Sequence, residues 1–206
     1  MLKVAIIIGS TRPNRVGGDV AKWVFDLAQK RDDAQFELID LKDINLPLLD
    51  EPMSPAMGQY QNEHTKEWGK KIEPFDAFIF VTPEYNHGTS AALKNALDFL
   101  YSEWNNKVAG FVGYGSANGA RSVEHLRLIC AELQMATVRS QVALNLMTDF
   151  ENYTKFKPAS FHESKVNEVI DQILMWGAAF REMRRPEEVT MSESSSTQDE
   201  ASASMQ

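Results

Sequence analysis

Apolar residues along the chain alternate between two periodicities. Val4–Ile8, Phe36–Leu41, Ala77–Thr82, Lys107–Tyr114 and Ala136–Val142 are short runs rich in β-branched and aromatic residues. The first and third are apolar on both faces, the pattern of strands covered on both sides of a sheet. Between these runs, apolar residues recur at helical spacing. Val20, Trp23, Val24, Leu27 and Ala28 predict a helix over Val16–Lys30, and further helices are predicted over Gln59–Ile72, Ser90–Trp104, from Arg121 to Gln134, and Ser164–Met183. Residues 42–58 carry Pro47, Pro52, Pro55 and Gly58 and cannot form one helix, so an irregular excursion near the mouth of the sheet is expected. Residues 143–162 read as a second irregular segment. No internal repeat is present.

Strands alternating with helices in this way predict a parallel, doubly wound sheet. Ligands of such sheets bind outside the carboxyl ends of the strands, at a topological switch point. Three polar, glycine-bearing loops follow strands one, three and four: 9–18, 83–88 and 115–121. All three belong to one edge of the sheet and can converge on one ligand.

The first loop, Gly9-Ser10-Thr11-Arg12-Pro13-Asn14-Arg15-Val16-Gly17-Gly18, has the chemistry of an anion cradle. The first N–H groups of the helix behind it lack intrahelical partners, and the helix dipole favours negative charge there. Ser10 and Thr11 add hydroxyls, and Arg12 and Arg15 add planar cations suited to phosphate. A phosphate monoester is the expected ligand; the bland alternative is that these residues only cap the helix. The dinucleotide fingerprint is excluded, because Thr11 stands where its second glycine belongs, and no Gly-Lys-Ser/Thr ending of a P-loop follows Gly9.

Length and composition narrow the class. At 206 residues, 43 % hydrophobic and 24 % charged, the chain suits one soluble α/β domain. No apolar run approaches the roughly 18–20 residues needed to cross a bilayer, and Leu2-Lys3 leads straight into a strand without a signal-peptide pattern. The net charge of −8 is uneven. Residues 187–206 hold five acidic residues and no basic one, which leaves 21 Lys and Arg against 24 of the 29 Asp and Glu, a net of −3. The expected division is therefore a domain over 1–185 and a disordered, acidic, Ser-rich tail over 186–206. Neither part is basic enough to recruit nucleic acid. The single cysteine, Cys130, excludes an internal disulfide and fits a reducing, cytoplasmic setting; within the stripe Leu126, Ile129, Cys130, Leu133 it reads as a buried structural thiol. The four histidines are scattered singly, without metal-ligand spacing.

Taken together and in order, the motifs Gly9-Ser10-Thr11-Arg12 through Arg15, Pro83-Glu84-Tyr85-Asn86, and Gly113-Tyr114-Gly115-Ser116 through Gly119-Ala120-Arg121 resemble the NADPH-dependent FMN reductase family. The resemblance spans residues 1–180. It implies a three-layer, flavodoxin-like fold with a five-stranded parallel sheet in the order 2-1-3-4-5. It implies FMN, with its phosphate near Ser10, Thr11, Arg12, Asn14, Arg15 and Val16. The isoalloxazine ring would lie against Pro83, Glu84, Tyr85 and Asn86, and against Gly115, Ser116 and Asn118. The stretch Ser116-Ala117-Asn118-Gly119 departs from the glycine-richer run of many relatives. NADPH or NADH would be co-substrate and a small electrophile the acceptor. A dimer or tetramer through the helix at 90–104 is implied as well, and the wide apolar arc Ala92, Leu93, Ala96, Leu97, Phe99, Leu100 and Trp104 fits it.

With flavin carrying the hydride chemistry at N5, the protein has to position rings and stabilise charge, so no general base is assigned. His87, beside the ring loop, is expected to face water, and Glu84 to be solvated or to cap the helix that follows it. Tyr85 suits either ring stacking or packing beneath its loop. Two rival readings share this sequence: a flavodoxin-type electron carrier that does not oxidise NAD(P)H, and a flavodoxin-like scaffold without cofactor.

Overall fold

Five parallel strands in the order β2-β1-β3-β4-β5 form the middle layer of the chain: β1 (Leu2–Ile8), β2 (Ala34–Asp40), β3 (Ala77–Pro83), β4 (Val108–Gly115) and β5 (Ala136–Asn145). A computed structural model describes residues 1–184. The order is that of a flavodoxin-like sheet, with the reversal between β1 and β3 as switch point. In register, Ile6 stands beside Leu38 on one side and Ile79 on the other.

The strict alternation of a strand divides the core into two layers. Val4, Ile6, Ile8, Ile79, Val81 and Val112 face α1 (Gly17–Ala28) and α6 (Phe161–Met183). Ala5, Ile7, Phe78, Phe80 and Phe111 face the other way, towards α3 (Glu63–Ile72), α4 (Ala91–Asp98) and α5 (Ala120–Glu132). The second layer is built on aromatic rings. Trp104 meets Phe78 edge-on at 4.9 Å and Trp68 at 6.2 Å, and both indoles donate to backbone carbonyls, Trp68 to Ala96 (2.9 Å) and Trp104 to Leu97 (3.2 Å). Burying each indole therefore leaves no orphaned N–H.

Several elements differ from the sequence expectation. The helix predicted over Ser90–Trp104 ends at Asp98 and continues as turns, because the periodic apolar residues beyond it are buried by the fold without being helical. Leu93, Ala96, Leu97, Phe99, Leu100 and Trp104 are all buried within the protomer. The wide arc is thus consumed by the sheet and Trp68, and it is no argument for a partner at that helix. The excursion at 42–58 is not wholly irregular: Leu41–Ile44 forms a short helix, α2, capped by Asp40, and Pro55–Met57 a 3₁₀ turn. The segment 143–162 contains a small antiparallel hairpin, β6 (Phe150–Glu151) and β7 (Lys155–Phe156). The expected tail at 186–206 lies outside the described residues.

Lys107, at the foot of β4, is 4 % exposed. Its ammonium donates to the carbonyls of Ile72 (3.2 Å) and Glu73 (2.8 Å) and lies 5.6 Å from the Phe78 ring. Burial, with Arg184 adding repulsion, lowers its pKa from 10.5 to about 8. The unfolded chain then holds this proton more tightly over that window, so folding loses stability as pH falls from about 10.5 to 8 and regains it as pH rises. Calorimetry of the wild type against Lys107→Met should show their melting temperatures diverging in favour of the wild type between pH 8 and 10. A difference independent of pH would mean that the lysine titrates as if exposed.

Candidate active site

The loop after β1 is held from three directions. Gly9 N–H donates to Val81 O at 2.9 Å, and a Cβ at Gly9 would sit 2.8 Å from that same oxygen, so only glycine lets the loop pass this close to β3. Ser90 accepts from Leu93 N–H (3.1 Å), capping α4, and donates its own proton to Gly9 O. Ser10 is fully buried, and its hydroxyl shares a 2.7 Å hydrogen bond with the Tyr85 hydroxyl. The Arg15 guanidinium folds back onto the loop, donating to Ser10 O at 2.8 Å and pairing with the Asp40 carboxylate at the end of β2. Behind the loop, α1 begins with Val16 as N-cap and no side-chain cap bond. Its first N–H groups are left for a ligand or for water.

The loop after β3 is a tight reversal. Tyr85 and Gly88 exchange backbone hydrogen bonds (2.9 and 3.1 Å) around Asn86 (φ 49°) and His87 (φ 76°), the paired left-handed conformation of a two-residue hairpin turn. Buried hydroxyls brace its root: Thr82 Oγ1 lies 2.9 Å from Thr89 Oγ1 and 2.7 Å from Ser122 Oγ. Glu84 is not solvated and does not cap α4. Its carboxylate side chain is 4 % exposed, accepts from Arg121 N–H (3.2 Å) and pairs with the Arg121 guanidinium, so it caps α5 instead. A carboxylate at a helix N-terminus is favoured by the helix dipole. Arg121 also meets His87 Nδ1 at 3.2 Å. A guanidinium can only donate, so Nδ1 accepts and the imidazole proton sits on Nε2.

A cavity of about 280 Å³ opens between these loops, lined by Arg12, Val16, Pro83, Glu84, Tyr85, Tyr114, Gly115, Leu146 and Tyr153. Six of the residues named from the sequence line it: Arg12, Val16, Pro83, Glu84, Tyr85 and Gly115. Arg12 lies 5.7 Å from the Tyr85 ring centre. Ser10 and Arg15 stand behind this wall in the bonds just described. Thr11 lines a separate cleft with Leu41, Lys42 and Asn95. Asn14, Asn86 and Ser116 are exposed at turns, and Asn118 Oδ1 accepts from Asn145 Nδ2 (2.6 Å), which ties its loop to β5. Sequence reasoning did not assign Tyr114, Leu146 or Tyr153. A tyrosine ending an apolar strand reads as core, and the other two fall in a stretch without periodicity.

Residues 2–149 match the family model described as NADPH-dependent FMN reductase. The chain belongs to that family. It is 42 % identical over 149 residues to an NAD(P)H-dependent FMN reductase of Schizosaccharomyces pombe, covering 71 % of this chain and 74 % of the relative. It is 45 % identical over 128 residues to the NAD(P)H-dependent FMN reductase ntnL of Nectria sp, covering 59 % of this chain and 64 % of the relative. In fold it is similar to FerB, a flavoenzyme NAD(P)H:(acceptor) oxidoreductase from Paracoccus denitrificans, with a TM-score of 0.66 at 22 % identity over 84 % of this chain and 97 % of that one.

The residues present fit the family's cofactor, and Tyr114 tests the fit. The side chain is buried, with the residue 5 % exposed, and its hydroxyl makes no hydrogen bond among the described residues. The nearby Ser10 hydroxyl is engaged by Tyr85. Burial pushes the phenol well above its usual pKa, with Ser10, Arg12 and Arg15 opposing, so it stays a proton donor. At Gly17, in the first turn of α1, a Cβ would lie 2.3 Å from this oxygen. An unpartnered buried hydroxyl beside an uncapped helix start is a costly arrangement unless a ligand acceptor meets it. Fluorescence titration with FMN should show Tyr114→Phe binding more weakly by about 1.5–3 kcal/mol, the range for a hydrogen bond to a charged group. The melting temperature of the FMN-free protein should change by no more than a few degrees. Arg15→Ala should weaken FMN by a similar amount, through the loop it braces. Unchanged affinity in both would remove these residues from the cofactor site.

Proposed function

We propose that this chain is an FMN-dependent oxidoreductase that oxidises NAD(P)H and reduces free flavin, a quinone or another electrophilic acceptor. The observation that carries the reading is the meeting of the loops after β1, β3 and β4 around one cavity, beside the uncapped start of α1. Bound FMN supplies the centre that takes hydride from a nicotinamide and gives up electrons to the acceptor.

The remaining roles belong to the chain. The N–H groups at the start of α1, with Arg12 and Asn14, form the phosphate cradle, while Ser10, through its bond to Tyr85, and Arg15 hold its shape. Pro83, Glu84, Tyr85 and Asn86 set the plane of the ring, and Gly115, Ser116 and Asn118 close its far edge. Glu84, engaged with α5, keeps its loop rigid rather than moving a proton. The thiol of Cys130, pushed by burial up to about 12, takes no part. A free buried thiol suits a cytoplasmic setting, and no helix among the described residues is long and apolar enough to cross a membrane.

The protein works as a homodimer in this reading, through the surface beside α4 rather than through its buried arc. Leu48 (81 % exposed) and Leu49 are exposed apolar residues in the segment that runs past α4. Asn95 of α4 tethers it, donating to Pro47 O at 2.6 Å and accepting from Leu49 N–H at 2.9 Å.

Two measurements test these statements. Protein reconstituted with FMN, freed of excess and mixed anaerobically with NADPH or NADH, should lose its oxidised-flavin absorbance on the timescale of turnover. A yellow protein that neither nicotinamide bleaches would be an electron carrier, and one that stays colourless with excess FMN a scaffold. Sedimentation equilibrium should give twice the chain mass for the wild type and a shift towards the monomer for Leu48→Glu.

A further inference from the structure

The hairpin β6–β7 ends in an unusual residue. Asn152 (φ 50°) and Tyr153 (φ 60°) are the central residues of a turn closed by Thr154 N–H donating to Glu151 O at 3.2 Å. Asparagine tolerates the left-handed region, but a bulky aromatic there is uncommon and strained. The fold gives the Tyr153 ring no core in exchange, since the residue is 61 % exposed. Yet it lines the same cavity as Pro83, Tyr85 and Tyr114.

The root of the hairpin, by contrast, is fixed. The Asp149 carboxylate, 3 % exposed, accepts from Asn145 N–H (2.8 Å), Ala159 N–H (3.2 Å) and His162 Nε2 (3.0 Å). Phe150 packs on Phe156 at 5.2 Å and on Tyr114 at 6.4 Å, and Phe156 meets Trp23 at 5.5 Å. A rigid root with an unburied aromatic tip holds one ring face at the cavity mouth. The stretch matched by the family ends at residue 149, so this wall is supplied by residues beyond it.

We propose that Tyr153 is a specificity-determining residue: its ring is the aromatic wall against which a planar, electron-poor substrate ring stacks in the cavity. This rests on the oxidoreductase reading above. Stacking on an electron-rich phenol favours such a ring, and two substrates of the reaction share that chemistry, the nicotinamide and a quinone. The wall discriminates against acceptors that present no flat ring.

The test uses the FMN-loaded enzyme and three variants. Tyr153→Asn and Tyr153→Gly suit φ 60° better than tyrosine does, so they remove the ring while the turn is kept or strengthened. Tyr153→Phe keeps the ring. In resting enzyme, titration with NADP⁺ and with p-benzoquinone, each followed by perturbation of the flavin spectrum, reads the two ring sources without turnover. In turnover, p-benzoquinone is compared with ferricyanide, which has no ring to stack.

Expected for the Asn and Gly variants are five- to tenfold weaker binding of at least one ring ligand and a matching rise in its KM. Their kcat, ferricyanide rates, FMN affinity and melting temperature should stay within twofold or a few degrees of wild type, and Tyr153→Phe should behave as wild type. The arm that moves names the ring Tyr153 serves. Unchanged binding of both ring ligands overturns the proposal. So does an equal loss with ferricyanide at saturating NAD(P)H, which would mark a general structural role, or a loss confined to FMN affinity, which would make Tyr153 part of the cofactor's own binding. Failure of the wild type to be reduced by NAD(P)H would instead strike the oxidoreductase reading, and the titrations would still report on the wall.

Discussion

A single hydrogen bond between Tyr85 OH and the buried Ser10 Oγ joins two loops that are 75 residues apart in sequence, and the geometry of the cavity depends on that link. Parallel strands bring the ends of β1 and β3 side by side, but sheet hydrogen bonding stops where the strands stop. Beyond Ile8 and Pro83 the two loops would be free to splay. The Gly9–Val81 backbone bond, the Ser90 hydroxyl on Gly9 O and the Tyr85–Ser10 bond continue the pairing past the sheet edge. Each such bond is worth only about 0.5–1.5 kcal/mol net. Together they order loops that must present their remaining donors to a ligand at fixed positions, and ordering them beforehand spares the ligand that entropy on binding.

The same economy explains the charges around the cradle. Two neighbouring arginines repel each other, and the structure gives them different partners. Arg15 is neutralised by Asp40, which the β1–β2 pairing places beside it, and its other arm carries the Ser10 carbonyl. Arg12 has no carboxylate within ion-pair distance among the described residues and rests near the Tyr85 ring instead. One cation thus shapes the loop and the other remains available to a phosphate. Glu84 repeats the logic on the far side, where the end of β4 turns into α5 and the carboxylate is neutralised by Arg121 and by the helix start it caps.

The doubly wound sheet, its loops and most of the cavity wall were legible in the sequence, because β1 and β3 are apolar on both faces and the loops behind them break that pattern with glycine and proline. What was not legible shares one cause: the partner comes from a distant part of the chain. Arg15 reads as a loop cation facing a ligand, and nothing near it in the sequence announces Asp40, 25 residues on, as its ion-pair partner. Glu84 reads as a cap for the next helix, yet the helix it caps begins 36 residues later, at Ala120. The apolar residues 99–104 keep helical spacing while the backbone turns, since the Trp104 pocket needs burial and not helicity. Tyr114 looks like core from its neighbours, and only its place in the cavity wall sets it apart.

That last contrast separates two kinds of wall in one cavity. Pro83, Tyr85, Tyr114 and Gly115 sit at the ends of buried strands, where any shift would propagate into a close-packed core; such a wall suits a molecule that must be held in one pose. Tyr153 stands at the tip of a short appended hairpin, exposed, where the sequence has to supply a turn and no core packing. Loops of this kind vary at little cost to the core that carries them. A rigid wall for the cofactor and a replaceable one for the substrate is the division of labour by which a common fold serves many acceptors, and in this chain the boundary between them runs between Tyr114 and the hairpin packed against it.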